Sequence, residues 1–177
     1  MFSSFRKLFG SEPDPREAQR PLWNAVIATA RAPHWYSEGG VPDTLDGRFD
    51  MISLILALVL HRIDEDPAQA VAGVRLTELF VDDMDGQMRQ IGFGDMVVGK
   101  QIGRMVGALG GRLGAYKAAD GSEELRAALV RNLWRGQAPA DAHLAHVMAE
   151  VAAQRAALGA MPVTDLIVAD RLPGARG

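Results

Sequence analysis

One stretch of the sequence repeats glycine at every fourth position, at Gly99, Gly103, Gly107 and Gly111. Apolar side chains recur every three or four residues over the same stretch, from 98 to 116, and this spacing predicts a helix with one buried face. At about 100° per residue, the glycines form a second face beside the apolar one. Each interior glycine costs a helix about 0.5–1 kcal/mol relative to alanine. A chain that builds this helix therefore needs a compensating contact along the glycine face.

The same predicted helix is basic. From 96 to 119 every charged side chain is positive: Lys100, Arg104, Arg112 and Lys117. Asp95 follows a Gly-Phe-Gly break and precedes the periodic run, so we predict that its carboxylate caps the start of the helix. This helix is expected to have an apolar face, a glycine face and a basic face.

Two interpretations of the glycine face stay open. Small side chains allow the backbones of two helices to approach closely, as in membrane helix pairs. In the first interpretation the approaching helix belongs to this same chain, which is the usual explanation of a stripe on a helix. In the second it belongs to a partner, whose helix binds in a groove beside the glycines.

Length and composition limit the classes of protein to which the chain can belong. With 177 residues, 48% of them hydrophobic, the chain is expected to form one domain with a substantial core. A net charge of -3 and the lack of a basic run interleaved with aromatics give no reason to predict a DNA partner. The absence of cysteine excludes disulfides and a cysteine nucleophile. The longest apolar run, 51–60, is far shorter than the ~20 residues that span a bilayer.

Helical periodicity and the lack of strand alternation predict an all-α, single-domain bundle of about six or seven helices. We expect helices from Pro15 to about Arg31, from Thr44 to Asp64, from Ala68 to about Val81, over 86–91, over 95–117, from Ser122 through Trp134, and from Pro139 to Leu158, with Gly159 past the end of the last one. The second of these is apolar nearly all round, which is typical of a helix at the centre of a bundle.

The chain divides into three predicted segments: a flexible segment over 1–14, a helical domain over 15–160 and a tail over 161–177. Phe2, Phe5 and Phe9 stand at helical spacing near two basic residues. They indicate either an amphipathic helix on an anionic membrane surface or a frayed end. In the tail we expect a short ordered element at 165–168 and disorder after Leu172.

The loop over 33–46 is rich in aromatics, glycine and proline. Trp35 and Tyr36 either pack this loop over the core or contact a partner. Arg48 follows the loop at a helix start. Its guanidinium is expected to pair either with Asp43 or Asp46 of this chain, or with a carboxylate of a partner.

Acidic and histidine residues give no complete catalytic or metal site. Asp82, Asp83 and Asp85 suggest magnesium binding, but Gly94 stands at the twelfth position of an EF-hand loop and Gly86 at the last position of a DDxxD motif. We favour a solvated acidic turn; the alternative is pairing of these carboxylates with Arg89 or with the basic face formed by Lys100, Arg104 and Arg112. The four histidines lack a ligand spacing. No metal and no cofactor is predicted.

Two stretches together resemble a known family. The first is Gly40-Val41-Pro42-Asp43-Thr44 with Asp46-Gly47-Arg48-Phe49, after Ala30-Arg31-Ala32-Pro33 and Trp35-Tyr36; the second runs from Asp83-Met84-Asp85 and Met88-Arg89 through Gly92-Phe93-Gly94-Asp95 and Val98-Gly99-Lys100 to Gly111-Arg112, Ala115 and Tyr116. In this order and spacing they resemble the ubiquinol-cytochrome c chaperone family, over roughly 22–119.

The resemblance implies a non-enzymatic chaperone that binds cytochrome b, or a partner assembly factor, during assembly of ubiquinol-cytochrome c reductase. It also implies possible contact with the ribosome and with the inner face of the cytoplasmic membrane, and an alphaproteobacterial, cytoplasmic member. Two alternatives stay open: a small helical enzyme with an Asp-rich magnesium turn, and a peripheral membrane scaffold. The predicted partner-binding residues are Trp35, Tyr36, Asp43, Arg48, Arg89, Gly99, Lys100, Gly103, Arg104, Gly107, Gly111 and Arg112.

Overall fold

A computed structural model describes residues 14–90, 95–119 and 121–175, without the side chains at 88, 95–98 and 101. Over these ranges the chain is helical, with no strand, and forms the predicted all-α bundle. Six helices are longer than two turns, and two are single turns. They are α1 (Arg20–Ala30), α2 (His34–Ser37), α3 (Leu45–Asp64), α4 (Ala70–Gln90), α5 (Asp95–Ala118), α6 (Ser122–Leu133), α7 (Asp141–Ala160) and α8 (Val163–Leu166).

Helix α3 is the centre of the bundle, as its sequence predicts. It begins where the Thr44 hydroxyl accepts a hydrogen bond from the Gly47 amide at 3.1 Å, which is the expected N-cap. All ten side chains from Met51 to Leu60 are buried. Helices α1, α4, α5, α6 and α7 all contact α3, so the helix is enclosed by the rest of the fold.

Helix α4 corrects the predicted acidic turn. The chain stays helical from Ala70 to Gln90 and runs straight through the three aspartates. The apolar stripe of α4 continues past Phe80 to Met84, which is 2% exposed, and this burial holds the helix together where charge suggested a turn. Ile91 and the Gly92–Gly94 break lie outside the described residues.

The two ends of the domain differ from the sequence predictions. A 3-10 turn over Pro15–Gln19 precedes α1, so the α-helix begins at Arg20. At the other end Leu166 and Leu172 are buried, and the Gln154 side-chain amide donates to the Pro173 carbonyl at 2.9 Å. Residues 163–175 therefore pack on the bundle, including 173–175, where we predicted disorder. The aromatic segment with Phe2, Phe5 and Phe9 lies outside the described residues.

Candidate functional site

The glycine face of α5 is open. It comprises six exposed glycines, at Gly99, Gly103, Gly107, Gly110, Gly111 and Gly114. A methyl group added at any of them would meet no atom within 4 Å beyond the adjoining backbone of its own helix. The opposite face of α5 is buried through Leu109 and Tyr116. The interpretation in which a helix of this chain covers the glycines is therefore wrong for the part of the chain that the structure describes.

Basic and apolar side chains border the glycine face. Lys100 and Arg104 are exposed near its beginning. Val106 is 40% exposed on one side. Toward the end of the helix, the Lys117 ammonium lies 3.1 Å from the Asp64 carboxylate. The glycine face thus exposes helix backbone, and positively charged side chains lie beside it.

An apolar cleft continues the glycine face onto α4. A cavity of about 520 Å³ lies between α4 and α5, and Leu60, Gly73, Val74, Leu113 and Gly114 are among its lining residues. Val74 is 58% exposed, and its neighbour Val71, one turn earlier, is 60% exposed. The exposed Val71 and Val74 and the adjoining glycine face together form an apolar surface. Such a surface is typical of protein interaction sites.

Arg112 does not belong to this surface, although the sequence placed it there. It forms an ion pair with Asp50, a carboxylate on α3 that is only 2% exposed, and its guanidinium lies over the Phe49 ring at 5.1 Å. Arg135 approaches the same carboxylate at 3.8 Å. Burial raises the pKa of Asp50, against the opposing effects of Arg112 and Arg135. Arg112 fastens α5 to the core through α3.

The aromatic loop is fixed by its own chain. The Trp35 indole is 2% exposed and donates to the Thr29 carbonyl at 2.8 Å. The Tyr36 hydroxyl donates to the Ala30 carbonyl at 2.9 Å. Both side chains tie α2 to the end of α1, so the structure favours the packing interpretation of this loop, and Trp35 is not accessible to a partner.

Arg48 pairs within the chain. Its Nε donates to the Asp43 carboxylate at 2.7 Å, and this hydrogen bond lowers the pKa of Asp43. Both side chains are more than half exposed, so the pair stays at the surface.

The loop over 33–46 packs against other helices of the bundle. The Gly40 carbonyl accepts from the Trp134 indole at 3.0 Å, and Gly40, at a φ of +60°, lies against the His143 ring. The loop therefore contacts α6 and α7. Of the described residues at the start of α3, Phe49 and Asp50 do contact α5, through Arg112.

The acidic residues of α4 have protein partners. Arg89 donates to Asp85 at 2.6 Å, as the pairing alternative predicts. Gln87 donates to Asp83 at 3.1 Å, and Arg16 pairs with Asp82. Within the described ranges no group of three or more His, Asp or Glu side chains is arranged to hold a metal. The Asp-rich magnesium site therefore gains no support from the fold.

Comparison with known proteins identifies the family of this chain. The sequence model described as ubiquinol-cytochrome C chaperone matches residues 37–171. The chain belongs to the ubiquinol-cytochrome c chaperone family. This confirms the resemblance to the family. The match begins at 37, later than the expected 22, and continues past 119 to 171.

The fold of this chaperone agrees with a solved structure of the same kind. It is similar to the crystal structure of the Cbp3 homolog from the alphaproteobacterium Brucella abortus, with 30% sequence identity and a TM-score of 0.77 over 89% of this chain and 91% of that one. Among curated protein sequences, none matches. No helix in the described ranges has the length and apolar character needed to cross a membrane. The family role is that of a chaperone in the assembly of ubiquinol-cytochrome c reductase.

Proposed function

We propose that the open glycine face of α5 binds a hydrophobic helix of cytochrome b while ubiquinol-cytochrome c reductase is assembled. The observation that carries this proposal is the set of six glycines against which no element in the described part of the chain packs. Family membership indicates the process, which is assembly of ubiquinol-cytochrome c reductase. The glycine face of α5 indicates the type of contact, which is helix against helix.

The energetics of the free protein support a binding role. At about 0.5–1 kcal/mol for each glycine relative to alanine, six exposed glycines cost the helix roughly 3–6 kcal/mol. Domains of this kind are stable by only about 5–15 kcal/mol in total. Because no described element of this chain covers the glycines, the compensating contact is expected from another polypeptide.

The chemistry of the surface fits a membrane-protein helix. Helices of membrane proteins associate through close backbone contact rather than through exclusion of water, and small residues permit that contact. The exposed Val71 and Val74 extend the contact onto α4. Lys100 and Arg104 are exposed, and their positive charge would favour contact with anionic lipid head groups. We therefore propose that the chaperone works on the inner face of the cytoplasmic membrane.

A co-purification experiment tests this proposal. We expect the double variant Gly103→Leu, Gly107→Leu to fold, because both positions are exposed and leucine favours helix. Two leucine side chains would hold a partner backbone away from α5. The variant, tagged and recovered from native membranes, is expected to lose cytochrome b to background level.

The matched control is Gly159→Leu, an exposed helical glycine on α7 that also has no neighbour within 4 Å. It is expected to recover as much cytochrome b as the unmodified protein does. If both variants recover cytochrome b equally, the glycine face is not the binding surface. If the unmodified chain recovers another assembly factor and no cytochrome b, the surface has a different occupant from the one proposed.

A further inference from the structure

A second cavity lies among α3, α5 and α7, next to the cleft between α4 and α5, with which it shares His61, Asp64 and Lys117 as lining residues. Its volume is about 470 Å³, and its lining includes His61, Arg62, Tyr116, Lys117 and Arg155. Three of these side chains are permanently cationic. The cavity is separate from the exposed part of the glycine face between Gly99 and Gly111.

Arg155 is the residue that makes this cavity unusual. Its guanidinium is half-buried and donates to the Tyr116 carbonyl at 2.9 Å and to the Ala119 carbonyl at 3.4 Å, at the end of α5. Among the described residues no carboxylate lies within ion-pair distance of it, and burial alone lowers its pKa. A guanidinium has five N–H donors and stays protonated in proteins. Donors of Arg155 therefore remain for a ligand.

The other charges of the cavity are balanced within the chain. Lys117 pairs with Asp64 at 3.1 Å. Arg62 pairs with Glu65 and also donates to the Leu158 carbonyl at 3.0 Å. Within 14–90, 95–119 and 121–175, one unit of positive charge, on Arg155, is left without a carboxylate partner.

His61 provides a reporter inside the same cavity. Its Nε2 lies 3.0 Å from the Leu113 carbonyl, and because a carbonyl only accepts, Nε2 carries the proton. Burial, together with the charges of Lys117 and Arg155, lowers the pKa of His61. An anion bound nearby would stabilise the charged imidazolium and raise that pKa.

We propose that this cavity binds a phosphate group with a single negative charge, such as a phosphodiester. A single charge matches the one unbalanced guanidinium, whereas Asp64 and Glu65 at the rim would repel a second. Phosphate oxygens point in several directions, so one group can accept from Arg155 on α7 and from Lys117 on α5 together. The phosphate comes either from a phospholipid head group or from a free anion.

Titration of the full chain, followed by NMR at the Arg155 Nε–H and the His61 ring, distinguishes the two sources. The probes are dihexanoyl phosphatidylglycerol, dihexanoyl phosphatidylcholine and inorganic phosphate. We expect saturable shifts and a higher His61 pKa with phosphatidylglycerol, and a weaker response to phosphatidylcholine, whose choline balances the phosphate. An equal or stronger response to inorganic phosphate would assign the site to a free anion. No saturable shift with any probe would overturn the proposal.

Variants locate the binding in the cavity. Arg155→Gln removes the charge and keeps an amide that can donate to the Tyr116 carbonyl, and it is expected to weaken binding roughly tenfold or more. Arg155→Lys keeps the charge and is expected to retain most of the affinity. Arg126→Gln changes an exposed arginine on α6 and should have no effect. Equal affinity in Arg155→Gln and the unmodified chain would contradict the proposal. The shift of the His61 pKa is measured in the unmodified chain, so this test stands even where a variant fails to fold.

Discussion

Replacing Gly47 by alanine is expected to lower the free energy of unfolding by more than about 3 kcal/mol. Gly47 is buried in the first turn of α3, and an added Cβ would lie 1.9 Å from the Pro42 carbonyl oxygen and 3.0 Å from its carbon. No side chain can swing away to relieve this contact, because both partners are backbone.

The surrounding hydrogen bonds keep Pro42 in place. The Thr44 amide donates to the same Pro42 carbonyl at 2.9 Å, and the Thr44 hydroxyl caps α3 at the Gly47 amide. To admit a methyl group, the chain would have to give up the cap of its central helix. The change should therefore also lower the melting temperature measurably.

Urea denaturation measures this effect against Gly159→Ala as the control. Gly159 is a helical glycine with open space around it, so the same chemical change there should raise the free energy of unfolding by about 0.5–1 kcal/mol. A loss of less than about 1 kcal/mol in Gly47→Ala would show that the Pro42 contact is not as close as the structure has it.

Replacing Arg112 by methionine is expected to cost about 3–5 kcal/mol of stability, because it leaves a buried carboxylate without its main partner. Asp50 is 2% exposed, and the remaining cation, Arg135, is 3.8 Å away and largely exposed. Methionine preserves much of the packing volume over Phe49, so the lost charge accounts for most of the effect. Urea denaturation at pH 7 provides the measurement.

The double variant Asp50→Leu, Arg112→Met separates the pair from its surroundings. Two apolar side chains of similar volume often replace a buried ion pair without loss, so the double variant is expected to recover most of the stability. Burial raises the pKa of Asp50, which makes the ionised carboxylate the costlier form in the fold. The deficit of Arg112→Met should therefore be smaller at pH 4 than at pH 7. A double variant as unstable as Arg112→Met would contradict the account of the pair.

Periodicity located the faces of helices well, and its failures have clear physical causes. The apolar faces of α3 and α5 are buried as predicted. The sequence pattern groups Arg112 with Lys100 and Arg104 because all three are basic, but the twelve residues from 100 to 112 turn the helix by about 120°. That rotation carries Arg112 round to Asp50. The sequence gives no sign of this partner, which comes from a different helix, 62 positions earlier.

Whether another helix covers the glycine face of α5 depends on tertiary packing, and the sequence alone does not decide it. The stripe from Gly99 to Gly111 fitted both a contact inside the chain and a contact with a partner. Only the positions of the other helices decide between them, and none of the described ones lies against the glycines. Conversely, Trp35 is an aromatic residue in a loop, which is typical of binding sites. Its burial and its hydrogen bond to the Thr29 carbonyl nevertheless place it in the core.

The double variant Gly103→Ala, Gly107→Ala tests most directly whether the glycine face serves binding at the expense of stability. Both methyl groups would enter open space in the free protein, so the free energy of unfolding should rise by about 1–2 kcal/mol. In the complex the same methyl groups would separate two close backbones, and the cytochrome b recovered from native membranes should fall by roughly tenfold. A variant that is more stable and recovers cytochrome b undiminished would contradict the account.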